Sequence, residues 1–268
     1  MPRVSANGID LYYEEFGAGA PILGIHGTPS SAVLWEEAAR ELSQIGRCII
    51  YDRRGFGRSP PPEPFDSLDL DQHLDDVVAL IDAVAAGPVI AIGRSTGGQI
   101  ALALAHRQPE KVRALVLLEP ALFTADPEAE AWAIDLRREV LTRSADDPAV
   151  ASEAVIGLAL GAETWNSFSP QLRELLAAAS PAVLAEMRGR GLDLSHDPLR
   201  LENEDLAQIE HEILLVSSQD SPAALRTIND RLALALPNPE VALVSGGHVI
   251  YPAHPAVLRF LARVIGAA

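Results

Sequence analysis

One run constrains this chain more than any other: Val89-Ile90-Ala91-Ile92-Gly93-Arg94-Ser95-Thr96-Gly97-Gly98-Gln99-Ile100-Ala101-Leu102-Ala103. An apolar, strand-like segment stops at a serine with glycine two positions before it and two after it. An Ala/Leu-rich, helix-like segment follows. A strand that becomes a helix within so short a turn leaves no room for a Cβ at the flanking positions, which is why glycine stands there. The turn lifts the Ser95 hydroxyl out of the sheet and aims the Thr96 N–H at the same space. Ser95 is therefore the candidate nucleophile. The plain alternative is a structural turn, and the strand–turn–helix context weighs against it.

Short apolar runs and helical patterns alternate through much of the chain. Ile9 to Phe16 reads as a strand after an Asn7-Gly8 turn, and Pro21 to Ile25 reads as the next, ending at His26-Gly27. Trp35 to Ile45 reads as a helix and Cys48 to Tyr51 as a strand ending at Asp52. Leu70 to Ala85 places Leu74, Val77, Val78 and Ile81 on one helical face. Pro88–Ile92, Ala114–Leu118, Ile213–Ser217 and Val241–Ser245 complete the strands. These runs are mostly continuous rather than alternating, which argues for parallel strands buried on both faces by flanking helices. The predicted fold class is α/β, a mostly parallel, doubly wound sheet.

Between Pro120 and about Leu206 the rhythm changes. No strand run stands out, but Glu128–Arg143, Pro148–Leu160, Gln171–Ala179 and Pro181–Gly189 have helical character, punctuated by Pro, Gly and Ser. The apolar content, including Trp132, Trp165 and Phe168, is too high for a disordered loop. The expected organisation is a core of residues 1–119 and 207–268 with a helical lid of residues 120–206 inserted between two core strands.

A chain of 268 residues, 48% of them hydrophobic, suffices for one large α/β domain or a core with an insertion. The net charge of −16 disfavours nucleic acid and anionic membrane surfaces as partners. Cys48 is the only cysteine, so no internal disulfide or multi-cysteine metal site can form. The N-terminal residues show no apolar signal segment, and no uncharged apolar stretch approaches a membrane span. A cytoplasmic protein is expected, with no metal and no cofactor, a small-molecule substrate, and a homodimer left open.

A nucleophilic serine needs a base, and the base needs an orienting acid. The base candidate is His248, which follows the last strand run and a Gly246-Gly247 pair that lets its loop turn back across the sheet edge. His26 reads as a loop brace and His254, beside Pro255, as a helix cap. The acid has two candidates, and both satisfy the chain order serine, acid, histidine. Asp220 follows the strand Ile213–Val216, but Asp220-Ser221-Pro222 also reads as a helix N-cap. Glu119 closes the fully apolar strand Leu115–Leu118, where an unpaired buried carboxylate would be costly. The choice leans to Glu119 and stays open. The oxyanion hole needs two backbone donors. Thr96 N–H is one and Thr28 N–H the other, because Pro29 has no N–H to give. Trp132 and Trp165 are the candidate substrate-binding residues of the lid.

With these motifs in hand, the chain resembles the α/β-hydrolase fold along nearly its whole length. His26-Gly27 resembles the family's oxyanion loop, and Gly93–Gly97 and Gly247-His248 resemble its elbow and histidine loop. Asp52-Arg53-Arg54-Gly55-Phe56-Gly57-Arg58-Ser59 resembles its D-x-x-G-x-G-x-S stretch, which is usually structural. Many members carry glycine near the start of the acid loop after the penultimate strand; Ser217-Ser218-Gln219-Asp220 has none. Leu118-Glu119-Pro120 instead resembles subfamilies that place the acid one strand earlier, as the hydrolases of resorcylic macrolactones do. The resemblance implies a lidded serine hydrolase of carboxylic esters or lactones, a carboxylesterase or lactonase working through an acyl-enzyme. Serine at the elbow argues against the epoxide hydrolase and haloalkane dehalogenase branches, which use aspartate there. C–C bond hydrolysis and cofactor-free perhydrolysis share the same triad, and a non-catalytic small-molecule receptor is the alternative from another class.

Overall fold

The fold follows from how side chains alternate along the buried strands. In the computed structural model, which describes residues 2–84 and 87–266, Ile22, Cys48, Ile50, Ile90, Ile92, Ala114 and Val116 face one side of the sheet. Leu23, Ile25, Ile49, Tyr51, Ala91, Leu115 and Leu117 face the other. Both faces are apolar, so both must be covered. Helices α1 (Glu36–Leu42) and α11 (Pro255–Gly266) pack on the first face. Helices α2 (Leu70–Ala83), α3 (Thr96–Arg107) and α10 (Ala223–Ala235) pack on the second.

The main sheet has eight strands in the order β1-β2-β4-β3-β5-β6-β9-β10. They are β1 (Arg3–Ala6), β2 (Ile9–Phe16), β3 (Pro21–Ile25), β4 (Arg47–Tyr51), β5 (Val89–Arg94), β6 (Val112–Leu118), β9 (Glu212–Ser218) and β10 (Glu240–Val244). β2 runs antiparallel to β1 and β4, and the remaining pairs are parallel. The mostly parallel sheet between two helical layers is the predicted fold class. Ala85, the last residue of the helix expected over 70–85, lies outside the described residues. The helix read from Trp35 is shorter than expected: a 3-10 turn, Ala32–Trp35, leads into α1, which ends at Leu42. β1 was not legible in the sequence.

Between β6 and β9 the chain forms α4 (Pro127–Arg143), α5 (Ala151–Leu160), α6 (Ala162–Ser167), α7 (Pro170–Ala177), α8 (Ser180–Arg188) and α9 (Asn203–Ala207). Its only strands among the described residues, β7 (Arg190–Gly191) and β8 (Asp197–Pro198), pair with each other and not with the main sheet. α6 and α9 lie outside the predicted helical patches. α4, α5 and α8 share an apolar cluster of their own around Val140, Val155 and Val183.

The Asp52–Ser59 stretch is a brace. Asp52 accepts from Ala32 N–H at 2.6 Å and Arg58 N–H at 2.8 Å, and Ser59 Oγ donates to Asp52 O at 2.6 Å. Gly57 sits at φ +53°, where a Cβ would run into the Asp52 carboxylate. His26 is buried, and burial with the nearby Arg53 charge holds its pKa well below the ordinary value. Its neutral ring accepts Arg53 N–H at Nε2, 3.0 Å, which leaves Nδ1 to donate to Gly27 O at 2.8 Å. Cys48 is fully buried, and burial pushes its thiol up to about 12.

Candidate active site

Ser95 stands between β5 and α3 at φ 55°, ψ −122°, outside the broad allowed regions for a residue with a Cβ. Four hydrogen bonds hold that conformation. Ser95 N–H donates to Leu118 O at 3.1 Å, and Ser95 O accepts from Gly98, Gln99 and Ala121 N–H. A Cβ at Gly93 would fall on the Gly97 carbonyl, and one at Gly97 on the Ile25 carbonyl, so the glycines are steric requirements of the turn. Thr96 is the first residue of α3, where the N–H has no partner within the helix.

His248 lies in the loop after β10. Its Nδ1 is 2.7 Å from Glu119 Oε2. Glu119 is fully buried, at φ 46°, just past the end of β6. The end of β9 and the loop after it support the same carboxylate: Ser218 N–H donates to Oε1 at 2.8 Å and Ser221 Oγ to Oε2 at 2.7 Å. Of the two candidate acids, the structure puts Glu119 on His248. Asp220 is exposed, and no side-chain hydrogen bond is formed by it among the described residues. Nor does it cap the next helix: α10 begins at Ala223 after Pro222, with no side-chain cap. The stretch that could have carried the acid cradles it instead. Ser218 and Ser221 were not singled out in the sequence, since nothing local marks a serine that serves a carboxylate about a hundred residues away.

Ser95 and His248 line one cavity of about 240 Å³, together with Thr28, Pro29 and Arg94 from the core and Ile156, Leu160, Phe168, Leu172 and Leu176 from the helical insertion. Thr28 therefore reaches the cavity at the expected place. Trp132 and Trp165 do not. Trp132 packs on Phe123 with ring centroids 5.3 Å apart, and Trp165 packs behind Phe168 at 6.3 Å. Trp165 is buried in the insertion's own cluster and Trp132 is half-buried between the insertion and the main core, while Phe168 and the aliphatic side chains of α5 and α7 form the wall.

Behind the two threonines lies a polar cluster that the sequence did not reveal. Thr28 Oγ1 donates to Glu186 Oε2 at 2.7 Å, and Arg53 bonds both Thr28 Oγ1 and Glu186. His73 Nε2 is 3.2 Å from Glu186 Oε1. Thr96 Oγ1 donates to Asp193 Oδ2 at 3.1 Å. Burial, and then the nearby Glu186 charge, push the Asp193 carboxyl up to about 7. The folded chain thus keeps this proton at pH values where the unfolded chain has released it, so this group's contribution to stability falls as pH rises towards 7. Asp193→Asn removes that term. The melting temperature of Asp193→Asn should fall less than that of the unsubstituted protein between pH 5 and 8; equal falls would contradict the assignment.

No helix among the described residues is long and apolar enough to cross a membrane. No group of three His, Cys, Asp or Glu side chains among them could hold a metal ion. The alpha/beta hydrolase fold model matches residues 20–255. The chain belongs to that family. A putative carbamate hydrolase from Agrobacterium fabrum is 30% identical over 253 residues, 91% of this chain and 94% of that protein. A haloalkane dehalogenase from the same organism is 34% identical over 142 residues, so that match spans 53% of this chain and only 44% of the dehalogenase. Among solved structures, Est816, described as an N-acyl homoserine lactone degrading enzyme, superposes with TM-score 0.73 at 23% identity, covering 98% of this chain and 99% of its own. Relatives of one fold thus carry names for different reactions, and the reaction of an α/β hydrolase is set by its own site.

Proposed function

We propose that this α/β hydrolase cleaves carboxylic esters or lactones through a Ser95–His248–Glu119 triad. The observation that carries the reading is the 2.7 Å contact between His248 Nδ1 and the buried Glu119, with His248 and Ser95 on one cavity. Ser95 Oγ attacks the substrate carbonyl and passes its proton to His248 Nε2. Glu119 holds the imidazole in the tautomer that leaves Nε2 free and stabilises the imidazolium. The carbonyl oxygen takes the negative charge and is held by Thr28 and Thr96 N–H. His248 then protonates the departing alcohol, or the ring oxygen of a lactone, as its bond to the carbonyl carbon breaks. Water, activated by the same histidine, releases the acid from Ser95. The helical insertion acts as a lid that shapes the acyl pocket and limits water during acylation. Serine rather than a carboxylate at the elbow speaks against dehalogenation.

The test is turnover of a panel of 4-nitrophenyl esters and lactones, with fluorophosphonate labelling mapped by peptide mass spectrometry. Label on Ser95 together with ester or lactone turnover supports the reading. Absence of both contradicts it. Because Phe168 lines the cavity and Trp132 does not, Phe168→Ala should move the kcat/KM ratio of octanoate to butyrate esters by about tenfold towards octanoate, the scale that pocket methylenes set. Trp132→Ala should leave that ratio in place.

A further inference from the structure

Arg94 is the residue immediately before the nucleophile, and it lines the same cavity. Arg94 is half-buried, so its guanidinium meets both protein and cavity. Buried cations are ordinarily neutralised, and the fully buried Arg53 and Arg54 are. Arg53 pairs with Glu186, and Arg54 takes Asp76 with two bonds of 2.7 and 2.5 Å. Arg94 has no carboxylate within ion-pair distance among the described residues. Its single hydrogen bond there runs from Nη1 to Ile250 O, long at 3.3 Å. Its guanidinium carbon lies 5.7 Å from the Trp35 ring centroid. Nε and Nη2, one edge of the guanidinium fork, are left without an acceptor. Neither Asp nor Glu lines the cavity; its polar wall is otherwise neutral hydroxyls, backbone and His248.

We propose that Arg94 is a substrate-binding residue that receives a carboxylate carried on the acyl part of the substrate, so that the preferred substrates are hemiesters, or lactones bearing a free carboxylate. This rests on the reading of Ser95 as the nucleophile and names the substrate class of that site. The free edge of a guanidinium matches the two oxygens of one carboxylate. No second arginine or lysine lines the cavity to meet a phosphate dianion. Burial without a countercharge pulls the guanidinium down to about 10, so it stays charged at neutral pH. The net charge of −16 opposes the approach of anions from a distance, but salt screens that repulsion far more than a partly buried, hydrogen-bonded pair.

The discriminating experiment compares mono-4-nitrophenyl glutarate with 4-nitrophenyl pentanoate, which share acyl chain length and differ in the terminal carboxylate. The unsubstituted protein should favour the glutarate in kcat/KM, and Arg94→Gln should shift the ratio towards pentanoate by about tenfold or more, as expected when a charged hydrogen-bond partner is lost. Arg94→Lys should recover part of the preference, having the charge but not the fork. Glutarate binding, measured by calorimetry on all three proteins, should follow the same order. An unchanged substrate ratio in folded Arg94→Gln would overturn the inference and leave Arg94 as a brace between Trp35 and Ile250. If Arg94→Gln does not fold, an equal ratio in Arg94→Lys, or no glutarate binding by the unsubstituted protein, overturns it. Arg94-dependent glutarate binding with neither ester turnover nor label on Ser95 would instead remove the hydrolase reading and keep the carboxylate site.

Discussion

Ser95→Ala is expected to lower kcat for any ester substrate by on the order of 10⁴–10⁶-fold, the loss seen when a triad nucleophile is removed. The fold should survive. The four hydrogen bonds that hold residue 95 in place all use its backbone, and alanine keeps the Cβ that already tolerates φ 55°. Circular dichroism and melting temperature should therefore match the unsubstituted protein while turnover vanishes. Loss of activity together with loss of fold would not count in favour of the mechanism; near-normal turnover in a folded variant would end it.

The second large effect concerns the acid. Glu119→Gln should reduce kcat by on the order of 10³–10⁴, because an amide facing Nδ1 no longer fixes the productive tautomer or stabilises the imidazolium. The replacement has a further penalty here. With its NH₂ on the Oε1 side the amide meets Ser218 N–H, which can only donate; with its NH₂ on the Oε2 side the Ser221 hydroxyl must turn round to accept and His248 Nδ1 can accept only in the unproductive tautomer. Some loss of melting temperature should accompany the loss of rate. Asp220→Asn is the control. Asp220 is exposed and caps nothing, so both kcat and melting temperature should stay close to those of the unsubstituted protein. A crippled Asp220→Asn beside a mild Glu119→Gln would move the acid to the neighbouring strand.

That pair of variants also marks where sequence reasoning reached its limit. The elbow was legible because its constraint is local: a tight strand–helix turn must have glycines around one exposed side chain, and the contacts at Gly93 and Gly97 are the physical form of that requirement. The strands were legible because continuous apolar runs in a doubly wound sheet serve both faces, as the alternation of Ile22 and Leu23 or Ile90 and Ala91 shows. The acid was left open because β6 and β9 are adjacent, with Leu118 opposite Val216. Either strand end brings a carboxylate near the histidine loop. What separates them is the direction of Ser218 N–H and Ser221 Oγ, and one-dimensional spacing does not carry it.

The wall of the cavity was not legible for a different reason. Trp132 and Trp165 were chosen by residue type, but large rings bury most area in packed clusters: Trp165 sits in the insertion's own core and Trp132 between the insertion and the main core. The cavity-lining faces of α5 and α7 were invisible because helical periodicity says which residues share a face and not what that face meets. β1 is four residues long, Arg3-Val4-Ser5-Ala6, at the sheet edge. So short an alternation gives little signal. The clamp of Glu186 and Asp193 on Thr28 and Thr96 joins residues far apart in the chain, and only the folded structure shows it.

On this reading, ester cleavage passes through a covalent acyl group on Ser95. This is tested most directly by quenching the protein in acid during turnover of 4-nitrophenyl butyrate and mapping its peptides by mass spectrometry. A butyryl group is expected on the peptide containing Ser95 and on no other, stronger when His248 is replaced by a residue that slows deacylation more than acylation. Sustained turnover with an unmodified Ser95 peptide, or a butyryl group carried elsewhere, would contradict the reading.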